Sequence, residues 1–199
     1  MREILNLSLR LALICAVMAV VLAKVDAMTR EPIAAVEAQA QREAVEAVMP
    51  PFETLEPDTL ADGAIYFVGR GADGPTGYAF AASSAKGYSG EIAVMVGVDA
   101  GGRVVGTRVL RHAETPGLGS RYTDAEVLKS FYAGFGLNDR DWRVKKDGGD
   151  VDAITGATVT GRALAEAVST GLAGFERDRP QLQVAAPAAA AADTTGEAH

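Results

Sequence analysis

The sequence predicts an α+β domain, an antiparallel sheet with packed helices, preceded by one N-terminal transmembrane helix. Three observations lead to this fold class. An apolar segment lies near the N-terminus, strand-like segments separated by glycines fill the middle of the chain, and two helical patterns follow them. Because strands grouped ahead of helices do not alternate as the units of a parallel sheet do, the order favours an α+β arrangement.

The apolar segment at residues 11–23 is the predicted membrane anchor. As a helix it would span about 20 Å, against about 30 Å for the hydrocarbon core of a bilayer. Apolar residues upstream lengthen it, and Arg10 and Lys24 can extend their charges towards the headgroups. A cleavable signal peptide is the alternative, since Ala23 and Ala27 offer small-residue cleavage contexts. The span arithmetic favours a retained anchor.

The next elements are predicted from periodicity and turn residues. Apolar residues at spacings of three and four predict an amphipathic helix at residues 31–48, ended by the pair Pro50-Pro51. Strand-like segments follow at residues 64–68, 77–82, 91–98 and 104–110. The Gly-rich residues 99–102 separate the last two segments and predict an antiparallel hairpin.

Two helices are predicted after the strands. Thr123 with Glu126 three residues later forms a capping box for the first, and the second is expected to start near Thr160. After Pro180 the chain becomes rich in Ala and Pro, which predicts a disordered tail. The residues expected to face the core are Val127, Leu128, Phe131 and Phe135, then Leu164, Val168, Leu172 and Phe175. The predicted organisation is an anchor at 1–27, a helical stalk at 28–62, a domain at 63–178 and a tail at 179–199.

Composition excludes several functions. The net charge of -7 leaves no basic surface of the kind that binds nucleic acid. Cys15 is the only cysteine, so the chain alone cannot build an intramolecular disulfide or an iron–sulfur cluster. With His112 and His199 as the only histidines, no metal site is expected. Any redox chemistry therefore needs an added cofactor.

Residues 147–160 are the most informative part of the chain. They place hydroxyl groups, Gly156 and Ala157 where a helix begins. The first N–H groups of a helix have no internal partner and the helix dipole is positive there, so this position favours a phosphate. An ordinary helix cap is the alternative, because Thr caps helices well and Gly is common in turns.

Within this segment Asp152, Thr155, Gly156, Ala157 and Thr158 complete the pattern Asp-x-x-Ser/Thr-Gly-Ala-Thr. This is the recognition motif of flavin transferases, which attach FMN to the last Thr as a phosphoester. Further blocks stand at residues 86–99, 112–119 (His-x-Glu-Thr-Pro-Gly-Leu-Gly) and 145–149. In content and order they resemble the G subunit of the Rnf-type electron transport complex. The C subunit of the sodium-pumping NADH:quinone oxidoreductase is a relative that shares the FMN-binding domain.

The resemblance implies a covalent FMN on Thr158, transferred from FAD by a separate flavin transferase. No residue is expected to be catalytic by itself. Leu118 and the turn before it are expected to cover one face of the isoalloxazine, with an ordinary turn at the strand exit as the alternative. Glu114 is expected to hydrogen-bond the ring or the ribityl chain, with an exposed acid as the alternative. The remaining predicted cofactor-binding residues are Asp152, Thr155, Gly156, Ala157 and Thr160, with Thr115, Pro116 and Gly117.

As a whole protein, the resemblance implies a single-pass subunit of the inner membrane with its soluble domain on the periplasmic side. It would pass electrons between neighbouring subunits of a complex that couples ferredoxin and nicotinamide redox chemistry to ion movement. Three alternatives remain from the sequence. They are a solitary anchored flavoprotein or sodium-pump subunit, a non-redox module that binds a phosphate-bearing ligand, and a hydrolase that uses His112 with Asp152 or Glu114.

Overall fold

A computed structural model describes residues 2–72 and 74–184 of the chain. Helix α1 (Arg2–Val48) is followed by strands β1 (Thr54–Thr59), β2 (Ile65–Gly71), β3 (Gly74–Ser84), β4 (Ile92–Asp99) and β5 (Val104–Arg111), then by helices α2 (Ala125–Tyr132) and α3 (Thr158–Val184). Short 3-10 turns occupy Gly119–Thr123 and Lys145–Asp147. The α+β class and the antiparallel sheet predicted from the sequence are confirmed.

The chain divides into two compact units, with the boundary between Arg42 and Glu43 inside α1. The first unit is helical and exposed, and from Asn6 onward α1 is long and apolar enough to cross a bilayer. The helix ends at Val48, as predicted, and Met49 separates this end from the pair Pro50-Pro51. Two consecutive prolines remove two helical N–H donors and disfavour the helical conformation of the residue before each, which explains this end point in a helix that contains the single Pro32. The predicted anchor and the predicted helix at residues 31–48 form one continuous helix, which includes Pro32.

The five strands form a meander in the order β1-β2-β3-β4-β5, with every neighbouring pair antiparallel. The predicted hairpin joins β4 to β5, where the N–H of Gly102 donates to the oxygen of Asp99 at 2.9 Å. Strand β1 was not predicted from the sequence. It contains Pro57 and is mostly exposed, so it shows no alternation of apolar residues. An edge position tolerates proline because one side of the strand needs no ladder partner.

One face of the sheet is covered by α3, which packs across β3 and β4. The rings of Phe80 and Phe175 stack with centroids 5.6 Å apart. The residues of α3 predicted to face the core, Leu164, Val168, Leu172 and Phe175, are all buried. Their spacing of three and four residues places them along one side of the helix, as the periodicity argument requires.

The other face of the sheet is covered by the end of α1 and the residues after it. Val48 and Pro50 lie directly on the sheet backbone, because the strands present glycines beneath them. A Cβ at Gly77 would lie 2.7 Å from Pro50, and one at Gly97 would collide with the backbone of Val48. The compact unit therefore begins at Glu43, where the sequence predicted a stalk that continues to residue 62.

The start of α2 differs from the prediction by one residue. Asp124 is the N-terminal cap, and its side chain accepts a hydrogen bond from the N–H of Glu126 at 2.9 Å. Thr123 instead donates its hydroxyl to the carbonyl of Ser120. The helix is also short, so its fully buried residues are Leu128 and Tyr132; of the other residues predicted for this face, Val127 and Phe131 are half-buried and Phe135 lies beyond the helix end.

Helix α3 begins at Thr158 and continues through Pro180 to Val184, so it starts two residues earlier than expected and passes the predicted start of the tail. Leu182 is fully buried. Asp178 accepts a hydrogen bond from the Tyr66 hydroxyl at 2.7 Å, which ties this end of the helix to β2. Tertiary contacts of this kind offset the cost of a helical proline. Residues 185–199 of the predicted tail lie outside the described residues.

Candidate functional site

A cleft of about 520 Å³ opens at the N-terminal end of α3. The segment between β3 and β4 contributes Tyr88, and the loop after β5 contributes Glu114, Thr115, Leu118 and Gly119. Lys146 and residues 156–160 with Arg162 form the remaining walls. The cleft is therefore assembled from segments that lie far apart in the sequence.

The motif residues divide into two groups around this cleft. Gly156, Ala157, Thr158 and Thr160 line it, and Thr158 is the first residue of α3 and half-buried. Asp152 and Thr155 are exposed and lie outside the lining. The carboxylate of Asp152 forms an ion pair with Lys145, in which Nζ and Oδ1 are 2.7 Å apart. In the described structure this half of the motif is a surface feature.

The backbone at the start of α3 presents free donors. The N–H of Gly161 donates to the oxygen of Ala157 at 3.0 Å, which is the first hydrogen bond of the helix. Among the described residues, no acceptor is paired with the N–H groups of Thr158, Val159 and Thr160. Unpaired N–H groups at the positive end of a helix dipole stabilise an anion.

Gly156 lets the chain enter the helix at this point. Its φ of 86° lies in the left-handed region, which side-chain-bearing residues rarely adopt. A Cβ there would also lie 3.5 Å from Leu118 across the cleft. The backbone conformation at this position therefore explains why the motif has a glycine there, independently of any ligand.

Two cationic side chains line the cleft beside these donors. Arg162 forms two hydrogen bonds with Asp147, at 2.5 and 2.6 Å, and this guanidinium holds the pKa of the Asp147 carboxyl below its usual range. Lys146 is exposed and forms no ion pair within the described part of the chain. The site therefore offers one fixed and one free positive charge to an anionic group.

Glu114 is neither an exposed acid nor a free hydrogen-bonding group at the surface. Its carboxylate is buried and accepts hydrogen bonds from the hydroxyl of Thr160 at 2.6 Å and from the N–H of Ser89 at 3.2 Å. The alternative interpretation of the motif was a threonine that caps the helix. Thr160 is not such a cap, because its hydroxyl donates to Glu114. Instead, the pair joins the loop after β5 to the first turn of α3.

The rest of the loop predicted to face a cofactor is only partly in the cleft. Thr115 and Leu118 line it, and Leu118 is 49% exposed. Pro116 and Gly117 do not line it and form an exposed turn, in which the Gly117 N–H donates to Ser120 Oγ at 2.9 Å. An apolar side chain held at a cleft edge is available to contact a ligand.

His112 and Trp142 have structural environments. Nδ1 of His112 accepts the N–H of Glu114 at 3.1 Å. Trp142 is buried, donates its ring N–H to the oxygen of Leu137 at 2.8 Å and stacks on Tyr132 with ring centroids 6.3 Å apart. The contact of His112 is with a backbone N–H, and no described hydrogen bond joins it to Asp152 or to the carboxylate of Glu114, so the hydrolase hypothesis gains no support.

Several lining residues were not identified from the sequence. Arg162 had an available signal, since it lies four residues after Thr158 and so on the same side of α3. Tyr88 lies in the block at residues 86–99 that resembles the family, but nothing local in the sequence indicated that it would reach the start of α3. Gly161 lies next to the cleft lining, and a Cβ there would collide with the Tyr122 hydroxyl, which accepts the N–H of Ile154 at 2.8 Å.

Comparison with known proteins defines the class of this domain. Residues 87–173 match the family model of the FMN-binding domain. That range includes the loop after β5, both cationic side chains of the cleft and the whole start of α3. The segment that forms the cleft is thus the segment that defines the class.

The relatives with curated names point to one family. The G subunit of the ion-translocating oxidoreductase complex of Salmonella typhimurium is 47% identical over 106 residues, which cover 51% of this chain and 52% of that protein. The protein of the same name from Cronobacter sakazakii is 36% identical over 178 residues, which cover 80% of this chain and 84% of that protein. The chain belongs to the family of G subunits of ion-translocating oxidoreductase complexes. The resemblance inferred from the sequence blocks is confirmed.

Coverage differs among these comparisons. The chain aligns with about half the length of the Salmonella relative, 52%. Among solved structures, the crystal structure of Shewanella oneidensis NqrC is similar with a TM-score of 0.47 and 24% identity, over 64% of this chain and 69% of that chain.

Proposed function

We propose that this chain is a membrane-anchored electron-transfer subunit that carries FMN bonded through its phosphate to the hydroxyl oxygen of Thr158. The observation that carries the proposal is the position of Thr158. It is the first residue of α3, it lines the cleft, and the free N–H groups of the first helical turn stand beside it. A phosphoester formed there would lie where the helix end stabilises negative charge.

The residues of the cleft fit FMN in size and chemistry. Its volume of about 520 Å³ is in the range of cofactor sites. Lys146 and Arg162 suit a phosphate, and the apolar surfaces of Leu118, Val159 and Tyr88, which are 49%, 40% and 71% exposed, suit a planar ring. FMN would supply reversible electron acceptance, for which the chain itself has no suitable side chain. The protein would supply position, charge and shielding from water.

The geometry also favours Thr158 over its neighbours. The hydroxyl of Thr160 is buried and donates to Glu114 at 2.6 Å, so it is not available as a nucleophile. Thr155 is exposed but lies outside the cleft lining. Only the Thr158 hydroxyl combines access with the free N–H groups of the helix start.

The proposed attachment uses FAD and a separate flavin transferase, because the motif is the one such enzymes recognise. The Thr158 oxygen would attack the phosphorus on the FMN side of the FAD pyrophosphate. The bond from that phosphorus to the bridging oxygen breaks, AMP leaves with this oxygen, and the hydroxyl proton passes to a base of the transferase. No electrons are exchanged in this step.

At the level of the whole protein, family membership and α1 support a single-pass inner-membrane subunit with its domain on the periplasmic side. Its partners would be the other subunits of a complex that couples ferredoxin and nicotinamide chemistry to ion movement. A reporter that is active only in the periplasm should work when fused to the C-terminus of the full chain. A reporter active only on the cytoplasmic side would contradict this orientation.

The attachment is tested by co-expression with a competent flavin transferase. The denatured band should fluoresce under ultraviolet light, and mass spectrometry of the tryptic peptide spanning residues 147–162 should locate FMN on Thr158. The matched control is Thr160→Val, which removes the buried hydroxyl and should keep the flavin. The free N–H groups also suit a phosphate-bearing ligand that binds reversibly. A folded protein that binds flavin but loses all of it on denaturation would favour that second candidate.

A further inference from the structure

We propose that the carboxylate of Glu114 is a fixed negative charge in the cleft wall that lowers the reduction potential of the bound flavin. This inference rests on the proposed function, because it concerns the group held on Thr158. It assigns Glu114 a role that differs from a hydrogen bond to the ring or the ribityl chain. The role depends on its charge, with which no cation forms an ion pair in the described structure, although Lys146 and Arg162 line the same cleft.

The position of this carboxylate is tightly defined by its surroundings. Glu114 is 6% exposed, and its two oxygens accept hydrogen bonds from Ser89 N–H and the Thr160 hydroxyl. Two glycines leave room for it. A Cβ at Gly119 would lie 2.6 Å from one carboxylate oxygen, and a Cβ at Gly87 would lie 2.8 Å from the other. Such enclosure holds the charge at one place in the wall.

The charge has no counter-ion among the described residues. Ion pairs are formed by Lys86 with Glu166, Lys145 with Asp152 and Arg162 with Asp147, and none reaches Glu114. Lys146 lines the same cleft and is exposed, and it forms no ion pair with Glu114 in the described structure. His112 faces the backbone N–H of Glu114 and not its carboxylate. The carboxylate is therefore stabilised by one hydroxyl and one N–H dipole, and these leave its net charge in place.

A net charge in a cleft wall acts on the electrons that enter the cleft. Reduction adds negative charge to the flavin, and a nearby carboxylate makes that addition less favourable. The interaction is stronger here than in water, because the effective dielectric constant near protein is about 20, against about 80 in the bulk. Removing the charge should therefore raise the potential.

The experiment compares reduction potentials of the full-length flavinylated protein in detergent at one pH and one ionic strength. Glu114→Gln keeps the size of the side chain and removes the charge, and Glu114→Met repeats the neutralisation without polar atoms. Both should keep the covalent flavin and shift its potential upward. Asp178→Asn removes a buried carboxylate at the far end of α3 and should leave the potential unchanged.

Thr160→Val separates charge from structure. It removes one hydrogen bond to the carboxylate and leaves the carboxyl group in place, so it should raise the potential less than Glu114→Gln does. If Glu114 only shapes the cleft, Thr160→Val and Glu114→Gln should shift the potential alike. A folded, flavinylated neutral variant whose potential is unchanged or lower overturns the inference, and Glu114→Met decides the question if Glu114→Gln does not fold. Absence of covalent flavin from the wild-type protein would instead overturn the proposed function.

Discussion

Helix α3 meets a buried carboxylate near each end, and the two are stabilised in different ways. Asp178, in the last turns, accepts the Tyr66 hydroxyl at 2.7 Å and the Arg177 guanidinium at 2.7 Å. Glu114, packed against the first turn, has a hydroxyl and an N–H as its partners and no cation within the described structure. At the C-terminal end, which we call the closed end, the carboxylate is therefore paired with a cation. At the N-terminal end, which we call the open end, the carboxylate has no ion pair and lies near the free N–H groups of the first turn.

The apolar surroundings of the two ends differ in the same sense. Phe175 packs near the closed end against Tyr66, Tyr78 and Phe80, and all four rings are buried. At the other end Leu118 and Val159 are left partly exposed around the cleft. One end of α3 thus satisfies its own side chains, and the other leaves apolar and polar groups available to a ligand. The comparison predicts that substitutions near the C-terminal end of α3 change the stability of the domain. Substitutions near its N-terminal end should change the attachment, spectrum or reduction potential of the proposed flavin.

The largest effect is expected for Thr158→Ala, which should abolish the covalent flavin and electron transfer. The domain should remain folded, because a half-buried threonine at the start of a helix contributes only about 1 kcal/mol or less to stability. Fluorescence of the denatured band measures the covalent flavin, and thermal melting measures the stability of the domain. Flavin retained on this variant would show that another residue is the attachment site.

The next largest effect is expected for Phe175→Ala at the closed end. This side chain is fully buried, and loss of a buried phenylalanine typically costs about 3 to 5 kcal/mol. Denaturant unfolding of the full chain should show the loss. The flavin in the surviving folded fraction should keep its absorption spectrum, because the proposed flavin site is at the other end of the helix. A changed spectrum with unchanged stability would reverse the assignment of the two ends.

A smaller, pH-dependent effect is expected for Asp178→Asn. The Arg177 guanidinium holds the pKa of the Asp178 carboxyl below its ordinary value, and burial raises the pKa of the Tyr66 hydroxyl with which it pairs. Because the folded-state pKa is depressed, the stabilisation is present above the unfolded pKa of about 3.9 and is lost as the pH falls through the folded value. The gap in melting temperature between wild type and variant should therefore be present at neutral pH and narrow below about pH 4. A gap that stays constant down to pH 2 would exclude this carboxyl as its cause.

The smallest effect on the protein itself is expected for Leu118→Asp at the open end. The side chain is partly exposed, so stability should change by about 0.5 kcal/mol or less. If Leu118 covers one face of the ring, the flavin spectrum and potential should shift while the flavin stays attached. Leu118→Met keeps an apolar side chain at the same position, so as the matched control it should leave the flavin spectrum unchanged. Identical spectra for wild type and Leu118→Asp would place the ring away from this loop.

The open end shows how far local sequence carries a prediction. The motif, the helix after it and the buried face of α3 follow from residues close together in the chain, because helical spacing and glycine at a left-handed turn are local properties. The pairing of Glu114 with Thr160 joins positions 46 residues apart, and that of Arg162 with Asp147 joins positions 15 apart. Neither pairing has a local signal.

Two differences between prediction and structure, at the C-terminal end of α3 and at strand β1, also arise from contacts that local sequence does not show. The composition after Pro180 predicted a disordered tail, but α3 continues to Val184, and the buried contacts of Leu182 and Asp178 hold this part of the helix. Strand β1 was missed since an exposed edge strand needs no apolar alternation.

The sequence by itself determined the anchor-like helix, the antiparallel order of strands and the threonine proposed for attachment, because each depends on near neighbours. Only the tertiary structure decided which carboxylate is buried without a cation, which hydroxyl is occupied and which side chains surround the cleft. Those properties depend on strand register and on how α3 crosses the sheet. Both are set by the packing of the whole core rather than by any one segment.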